Sequence, residues 1–219
     1  MRTLLDLLLP LECGGCRAPG TRWCTICAAE LSTAEPVALH PRVPGVPPAW
    51  ATGPYAGARR AAVLAAKERG RRDLAGPLGN ALARAVRDLR AWGELDPAEL
   101  APLAMVPAPT RRSAARRRGG DPVLAAARVC VACLDDGAAV WPVLSTARGA
   151  RDSVGLNAAQ RCANLYGRVQ VAGALPTAKA NVVLVDDVLT TGATAAAATV
   201  ALAQHGVRVH AVLVVSTVR

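Results

Sequence analysis

Hydrophobic and polar positions form their clearest pattern near the end of the chain. Residues 181–185 are almost all apolar and end at two aspartates, residues 193–205 are rich in alanine and stop at Gly206, and residues 207–215 are again mostly apolar. This pattern predicts a strand, a turn over 186–192, a helix and a second strand. Because such a unit implies a parallel sheet with right-handed crossovers, an α/β fold is predicted.

Shorter patterns upstream predict further helices and strands. Apolar runs that a proline stops suit buried strands, while long stretches rich in Ala, Leu and Arg suit helices. The predicted elements are a helical stretch from Arg59 to Trp92 with breaks near Gly70 and Pro77, a loop from Gly93 to Pro102, a strand over Leu103–Val106, a helix over Pro122–Leu134 with Asp121 as its cap, a short strand over Val140–Leu144, and a loop with a helical turn over Ser145–Asn164.

The first fifty residues differ in character from the rest. Residues 1–30 contain a short apolar helix and four clustered cysteines, and residues 35–54 are rich in proline, which is typical of a loop or linker. We therefore predict two domains, residues 1–50 and residues 51–219. The apolar start is far shorter than the ~20 residues that a membrane span needs, and Asp6 interrupts it, so we expect a cytoplasmic protein without membrane insertion.

Two Cys-x-x-Cys pairs form the first candidate site. They consist of Cys13, Cys16, Cys24 and Cys27. Each pair can chelate one metal ion from a tight turn, and four thiolates complete a tetrahedral shell, which fits structural zinc in a small segment with little core of its own. Four free thiols, a redox pair or an iron–sulfur cluster are the alternatives. Cytoplasmic cysteines are usually thiols or metal ligands rather than disulfides.

Composition adds two constraints. Apolar residues make up 52% of the chain and aromatic residues only 3%, so Ala, Val and Leu have to fill the core. The net charge is +10, and it comes almost entirely from arginine, because Lys67 and Lys179 are the only lysines. Such a charge favours polyanions: phosphorylated metabolites, nucleic acid or an anionic membrane. A solvated basic surface without a specific partner is the alternative.

The acidic turn after the predicted strand is the second candidate site. Asp186 and Asp187 are followed by Val188-Leu189-Thr190-Thr191-Gly192-Ala193-Thr194, which opens the Ala-rich helix. In open α/β sheets ligands bind beyond the carboxyl ends of the strands, and backbone N–H groups at a helix N-terminus favour a phosphate. Glycine permits close approach of a ligand, and threonines donate hydroxyls. Carboxylates do not bind phosphate, so the two aspartates suit the vicinal hydroxyls of a ribose.

This segment resembles, position by position, the motif that binds 5-phosphoribosyl-1-pyrophosphate (PRPP) in type I phosphoribosyltransferases. The resemblance implies that Asp186 and Asp187 face the ribose hydroxyls, that the run from Val188 to Thr194 binds substrate, and that Thr190 to Thr194 cradle the 5-phosphate. It also implies a type I phosphoribosyltransferase fold, in which helices flank a parallel sheet. A Walker A loop and a dinucleotide fingerprint are excluded, because neither glycine pattern is present.

The order of features along the chain resembles the ComF family of competence-associated phosphoribosyltransferase homologues. After the paired cysteines come Tyr55-Ala56-Gly57 before a helix that leads to Lys67 and Gly70, then Val106-Pro107-Ala108-Pro109, Arg118-Gly119, Gly155-Leu156, Arg161 and Asn164, and finally the PRPP motif. The resemblance implies an N-terminal zinc finger and a pyrophosphate-binding region that contains Pro107, Ala108, Pro109 and Arg118. Gly120-Asp121 stands where the family has an aromatic residue and Asn, and Ser153 where it has Gln, which leaves the acceptor open.

The implied activity is displacement of pyrophosphate from C1 of PRPP by a nucleophile, with Asp186 and Asp187 as the catalytic pair and a nucleobase or related acceptor. Mg²⁺ would bridge pyrophosphate and ribose oxygens, and residues 145–164 would form a mobile loop that excludes water. The alternative is a non-catalytic PRPP-binding or scaffold protein in DNA uptake or processing, which contacts single-stranded DNA or a partner ATPase. The scarcity of aromatic residues argues against a self-sufficient DNA reader.

Several other clusters carry weaker predictions. Arginine suits phosphate because its guanidinium binds two oxygens at once, and pyrophosphate contact and plain solvent exposure remain open for each arginine of the first cluster. This cluster is Arg111, Arg112, Arg116, Arg117 and Arg118, and a second basic cluster is Lys67, Arg69, Arg71 and Arg72. Cys130 and Cys133, three apart in an apolar helix, and the single Cys162 are predicted to be inert residues of the core.

Overall fold

The strands form one large and one small sheet in the computed structural model, which describes residues 11–110, 120–134, 137–147 and 167–218. The strands are β1 (Val37–Leu39), β2 (Ala49–Ala51), β3 (Leu103–Pro107), β4 (Ala138–Val140), β5 (Leu144–Thr146), β6 (Val169–Val171), β7 (Asn181–Leu189) and β8 (Ala211–Thr217). The large sheet has the order β1-β2-β8-β7-β3-β4, and only the edge strand β1 runs antiparallel to its neighbour. Strands β5 and β6 pair separately. The architecture is therefore mixed α/β with a mostly parallel sheet, as predicted.

The first helix packs on the two helices that follow it, and the other helices pack on the large sheet. The helices are α1 (Thr25–Thr33), α2 (Gly57–Glu68), α3 (Ala75–Ala91), α4 (Pro122–Ala132) and α5 (Ala193–Ala203), with a 3₁₀ turn at Arg72–Leu74. Helix α4 begins as predicted. Pro122, its first residue, has no backbone N–H group that would need an acceptor, and Oδ1 of Asp121 accepts from the N–H groups of Val123 at 2.9 Å and Leu124 at 3.2 Å. This cap fixes the start of α4 beside the carboxyl end of the sheet.

The side chains of β7 alternate between two cores. Val183 and Val185 belong to the core under α2, α3 and α4, whereas Val182 and Leu184 belong to the core under α5. Because parallel strands in the middle of a sheet are covered on both faces, they consist of continuous apolar runs. Small residues fill much of the space, as the lack of Phe requires: α5 contributes Ala195, Ala198 and Leu202 to its core.

The predicted turn at 186–192 is wrong in its first half. Strand β7 continues to Leu189 because β8 supplies backbone partners beyond the apolar run: Asp186 pairs with Val214, Val188 with Ser216 and Leu189 with Thr217. The two aspartates therefore lie within a paired strand, and only residues 190–192 form the turn. Strand pairing depends on the neighbouring backbone, which the local sequence does not reveal.

Other boundaries also differ from the predictions. The proline-rich residues 35–54 contain strands β1 and β2, which extend the large sheet: β2 pairs with β8, and β1 pairs with β2. Pro77 does not break its helix, since it lies in the first turn of α3, where no intrahelical N–H bond is lost. The predicted strand over Val140–Leu144 is wrong, because β4 ends at Val140 and β5 begins at Leu144. Residues 207–210 precede β8 and do not belong to it.

Several predictions lie outside the described residues. They concern the apolar helix before Leu11, the arginine cluster from Arg111 to Arg118, most of the predicted loop over Ser145–Asn164, and Cys162. None of the helices in the described part of the chain combines the length and the apolar character of a membrane span.

Candidate functional site

The two aspartates lie where the carboxyl ends of β3, β7 and β8 meet. Pro107, the last residue of β3, pairs with Val185, and the N–H of Ala108 donates to the carbonyl of Val185 at 2.7 Å. Pro107 therefore ends β3 beside Val185, the residue before Asp186 on the neighbouring strand, and Ala108 and Pro109 continue from there. The structure thus brings together two segments that are far apart in the sequence and that were both predicted as site residues.

A small apolar cleft lies at this edge of the sheet. Among the described residues, Asp186 and Asp187 are its only charged lining residues, and the other walls are apolar side chains of α2, α3, α4 and the sheet, such as Val63, Leu82 and Val123. Burial, followed by repulsion from Asp187, raises the pKa of Asp186 to about 8. The Asp186 carboxylate accepts a hydrogen bond from the N–H of Asp187 at 2.8 Å. The cleft therefore presents carboxyl oxygens in an apolar surround.

Lys67, from the last turn of α2, reaches the acidic pair. Its Nζ lies 2.9 Å from Oδ2 and 3.2 Å from Oδ1 of Asp187, and the side chain of Asp187 is only 15% exposed. Lys67 was predicted only as a member of the second basic cluster, and its contact with Asp187, 120 residues away in the chain, was not predicted. The one feature of the sequence that distinguishes Lys67 is that it is among the very few lysines of an arginine-rich chain.

The threonine-rich turn joins β7 to α5. Gly192 precedes α5 with φ of 89°, a left-handed conformation that favours glycine, and no side chain caps the helix from this position. Oγ1 of Thr191 accepts from the N–H of Ala193 at 3.3 Å, and Thr190 is exposed. The first turn of an α-helix always leaves N–H groups without intrahelical partners. This end of α5 therefore offers backbone donors next to threonine hydroxyls.

A segment that the sequence analysis treated as a linker lies against this turn. The N–H of Val43 donates to the carbonyl of Thr191 at 3.2 Å. A Cβ atom on Gly192 would lie 2.9 Å from Cβ of Pro41 and 3.2 Å from Cγ2 of Val46. Gly192 is thus required by both its backbone conformation and its close neighbour, and residues 41–46 form one wall of the turn.

The four early cysteines come together as predicted. Their Sγ atoms all lie within 4.8 Å of one another, and the Sγ atoms of Cys16 and Cys24 are 3.6 Å apart. Tetrahedral bonds of about 2.3 Å to zinc place the sulfurs roughly 3.8 Å apart, so the cluster fits such an ion closely. N–H groups of Gly15 and Cys24 each lie 3.4 Å from Sγ of Cys13 and favour its thiolate form. These cysteines can therefore hold a metal such as zinc.

Burial and backbone hydrogen bonds act in opposite directions on the four thiols. Burial raises the pKa of Cys13, but N–H donors from Cys16, Cys24 and Gly15 outweigh it and lower the pKa to about 6. Burial, with further contributions from Cys24 and Cys16, raises the pKa of Cys27. A bound cation would relieve this conflict, because it stabilises the thiolate form of every ligand.

The cysteine cluster is packed onto the rest of the molecule. Cys13, Cys27 and Leu31 share a core with α2 and α3. The guanidinium of Arg71 donates to the Asp73 carboxylate at 2.7 and 2.8 Å, and to the carbonyls of Glu12 at 3.1 Å and Arg22 at 3.2 Å. The cluster is thereby attached to the end of α2 that carries Lys67.

A wider basic groove adjoins the acidic cleft. The two share Ala66, Leu78 and Pro122 as lining residues, and the groove has an empty volume of about 750 Å³. Arg71, Arg72 and Arg128 line it. The guanidinium of Arg71 is engaged in the contacts to Asp73 and to the cysteine segment. Arg72 and Arg128 are therefore the arginines of this groove that can bind an anion.

The remaining predicted residues are Leu189, Cys130, Cys133 and Arg118. The Leu189 side chain is 6% exposed in the core under α5, so a ligand would meet its backbone rather than its side chain. Cys130 is fully buried, as predicted, and burial raises the pKa of its thiol to about 12. The prediction of a buried core residue is wrong for Cys133, which follows α4, is only partly buried, and donates from its thiol to the side-chain oxygen of Asn80 at 3.2 Å. Arg118, predicted to bind substrate, lies outside the described residues.

Comparison of the chain with models of known protein families finds no match, and comparison with curated proteins finds no significant relative. The function therefore has to be argued from the cleft, the turn and the cysteine cluster themselves.

Proposed function

We propose that the chain is a PRPP-binding protein with a type I phosphoribosyltransferase fold, related to the ComF family, and that it transfers a phosphoribosyl group with release of pyrophosphate. The observation that carries this proposal is the position of Asp186 and Asp187 in an apolar cleft at the carboxyl end of β7, immediately before a turn that opens α5. A sugar phosphate needs acceptors for its hydroxyls and donors for its phosphate, and this edge of the sheet provides both.

The aspartates are suited to a ribose diol. Each carboxylate oxygen accepts hydrogen bonds, and the apolar walls strengthen them, because little water competes in such a cleft. The 5-phosphate would lie at the start of α5, where the N–H groups of the first turn and the hydroxyls of Thr190, Thr191 and Thr194 are available. Pro107 at the end of β3, with Ala108 and Pro109 after it, lies on the neighbouring strand next to Asp186 and would contribute to the pyrophosphate side of the site.

Magnesium enters the proposal with the substrate. In the part of the chain that the structure describes, the four cysteines form the one cluster of three or more potential metal ligands. A magnesium ion would therefore be held largely by diphosphate oxygens and water, which suits its usual coordination. When bound, it would neutralise charge on the leaving pyrophosphate.

The residues of this chain would act by positioning and electrostatics. Asp186 and Asp187 would orient the ribose, so that C1 faces the acceptor. The raised pKa of Asp186 keeps its carboxyl group largely protonated at neutral pH, so the negative charge of Asp187 would stabilise the positive charge that builds on the ribose ring as pyrophosphate leaves. The cluster of Cys13, Cys16, Cys24 and Cys27 would hold structural zinc, remote in role from this chemistry. The acceptor is proposed only as a class, a nucleobase or related nucleophile.

Calorimetric titration with PRPP and Mg²⁺ tests the proposal. Asp187→Asn turns one acceptor into a donor and is expected to weaken binding about ten- to a hundredfold, as the loss of a charged hydrogen bond predicts. Glu99→Gln removes the same charge from an exposed loop and should bind as wild type does. Absence of binding at millimolar PRPP, or equal affinity of wild type and an Asp186→Asn/Asp187→Asn double variant, would refute the proposal. Pyrophosphate release with a panel of bases then separates an enzyme from a binding protein.

A second candidate function is contact with single-stranded nucleic acid, and the groove beside the cleft favours it, since Arg72 and Arg128 line it. Mainly electrostatic binding should weaken steeply between ~50 and ~200 mM salt, with a slope of about −0.7 for each neutralised phosphate. The variant Arg72→Ala/Arg128→Ala should lower that slope. Binding that is indifferent to salt and to this variant would exclude the groove as a nucleic-acid contact.

A further inference from the structure

The ammonium group of Lys67 occupies both acceptor atoms of Asp187. Its Nζ lies within hydrogen-bonding distance of both carboxylate oxygens, at 2.9 and 3.2 Å. Each oxygen keeps a second lone pair, but only 15% of the Asp187 side chain is exposed. Ribose hydroxyls that bind Asp187, as the proposed function requires, therefore compete with this ammonium group for the space around the two oxygens. When the ligand is bound, the Lys67 ammonium group therefore needs a new anionic partner.

Lys67 is able to make this movement, whereas Asp187 is held in place. The Lys67 side chain is 45% exposed and has a flexible four-carbon stem, while Asp187 belongs to a paired strand. The backbone that carries Lys67 is fixed, because the backbone N–H groups of Arg69 and Arg71 donate to the carbonyl of Ala65 at 3.1 and 3.2 Å. The ammonium group can thus swing from a fixed helix end.

The chemistry of the ligand supplies the new partner. The ribose diol is formed by C2 and C3, and the diphosphate is bonded to C1, the atom next to C2. The anionic group nearest to a diol on Asp187 is therefore the diphosphate. Arg72 and Arg128 line the adjoining groove, so the surroundings of Lys67 are already basic on that side.

We propose that Lys67 is a ligand-contacting residue, which leaves Asp187 when the ribose diol binds and donates to a phosphate oxygen of the diphosphate. This inference rests on the proposed function and adds a residue to it that the PRPP motif does not contain. It distinguishes two roles for Lys67: a residue that only positions Asp187 acts equally on every ribose ligand, whereas a diphosphate contact acts only on ligands that carry a diphosphate.

The test compares PRPP with ribose 5-phosphate, both with Mg²⁺, by calorimetry. Lys67→Met should weaken PRPP binding about tenfold, the equivalent of one charge-assisted hydrogen bond at a partly exposed site. Ribose 5-phosphate, which lacks the diphosphate, should bind Lys67→Met as tightly as wild type or more tightly, because no ion pair has to be broken. Lys179→Met, at the other lysine, on an exposed segment before β7, should change neither affinity.

A spectroscopic measurement gives a second readout. The chain has two lysines, so protein labelled with [¹³C]lysine gives two side-chain signals, which Lys179→Arg assigns. Addition of PRPP or of inorganic pyrophosphate with Mg²⁺ should shift the Lys67 signal and leave that of Lys179 in place.

The outcomes separate the two proposals. Wild type that binds neither PRPP nor ribose 5-phosphate would refute the proposed function and this inference together. Wild type that binds both, with Lys67→Met lowering both affinities by the same factor or neither of them, would leave the proposed function standing and overturn the role of Lys67. A loss confined to PRPP, with an unchanged circular dichroism spectrum, would establish the diphosphate contact.

Discussion

Oε1 of Glu30, on α1, accepts a hydrogen bond at 2.9 Å from the backbone N–H of Ala58, in the first turn of α2. A carboxylate from the cysteine-containing part of the chain thus caps the helix that carries Lys67. The cap has two physical consequences: it satisfies an N–H group that has no intrahelical partner, and it places a negative charge at the positive end of the helix dipole. Glu30 also raises the pKa of Arg59, against the larger opposite effect of burial.

Glu30→Ala should therefore lower the free energy of unfolding by about 1 kcal/mol, the usual cost of a lost N-terminal cap. Urea denaturation measures it. Glu68→Ala, at the exposed end of the same helix, removes an equal charge without a cap and serves as the control. If the two variants lost the same stability, Glu30 would contribute only its charge to the surface, and the connection between α1 and α2 would have no energetic weight.

The cysteine cluster should contain one zinc ion per chain. Cys24→Ser removes one of four ligands and should abolish stoichiometric zinc and lower the melting temperature, because the metal stabilises a segment with little core of its own. Elemental analysis of protein purified without added metal measures the content. Cys133→Ser, at a thiol that follows α4 and contacts Asn80, should keep the zinc. A Cys24→Ser protein with full zinc content and an unchanged melting curve would contradict the assignment.

The elements that the sequence predicted best are those whose pattern is local. The strand at Asn181, the helix at Ala193 and the cap at Asp121 depend on apolar runs and on neighbours a few residues away, and the structure confirms all three. The spacing of the four cysteines is also a local pattern, and their sulfurs do converge. Boundaries were predicted less well, because Asp186 and its successors take their strand conformation from β8.

The features of the site that the sequence did not reveal are contacts between distant segments. Lys67 meets Asp187 across 120 residues, and Val43 meets Thr191 from a segment that its prolines suggested was a linker. Neither contact has a periodicity or a motif of its own, so only the fold discloses them. The raised pKa of Asp186 is of the same kind, because it arises from apolar walls on three helices.

Asp186 should lower the free energy of unfolding as the pH rises, which is the opposite of the usual effect of an aspartate. Burial, and then Asp187, raise its pKa from 3.8 to about 8, so the folded protein keeps a proton that the unfolded chain releases. This contribution to stability is fully present below pH 3.8 and is lost as the pH rises towards 8. Asp186→Asn carries no such proton, so its stability relative to wild type should rise across that range, by at most about 1.4 kcal/mol per pH unit.

Urea denaturation of both proteins between pH 4 and pH 9 measures this effect. Asp73→Asn provides a control with a flat profile. The hydrogen bond from Arg71 lowers the pKa of Asp73, so its stabilising contribution is lost only below the ordinary value of 3.8, and the difference between Asp73→Asn and wild type should stay constant from pH 4 to pH 9. A constant difference between Asp186→Asn and wild type over the whole range would show that Asp186 titrates normally.

Gly192 and Gly206 allow the contact of residues 41–46 with the threonine-rich turn to be measured directly. Both glycines have left-handed backbone conformations, with φ of 89° and 75°. A Cβ atom on Gly206 would meet nothing within 4 Å, whereas one on Gly192 would lie 2.9 Å from Cβ of Pro41. Gly206→Ala should therefore cost only the backbone strain, about 1 kcal/mol. Gly192→Ala should cost that strain plus about 1–3 kcal/mol for the overlap.

Urea denaturation of the two single variants gives the difference, and a double-mutant cycle assigns it. Pro41→Gly removes the Cβ atom that Gly192→Ala would overlap, so the combined variant should recover part of the loss, after subtraction of the effect of Pro41→Gly alone. The same variants should weaken PRPP binding in the order of their effect on the turn, because Gly192 precedes the helix end proposed to bind the 5-phosphate. Equal losses for Gly192→Ala and Gly206→Ala, with no recovery from Pro41→Gly, would mean that residues 41–46 do not lie on the turn in solution. The wall they form would then have no part in the site.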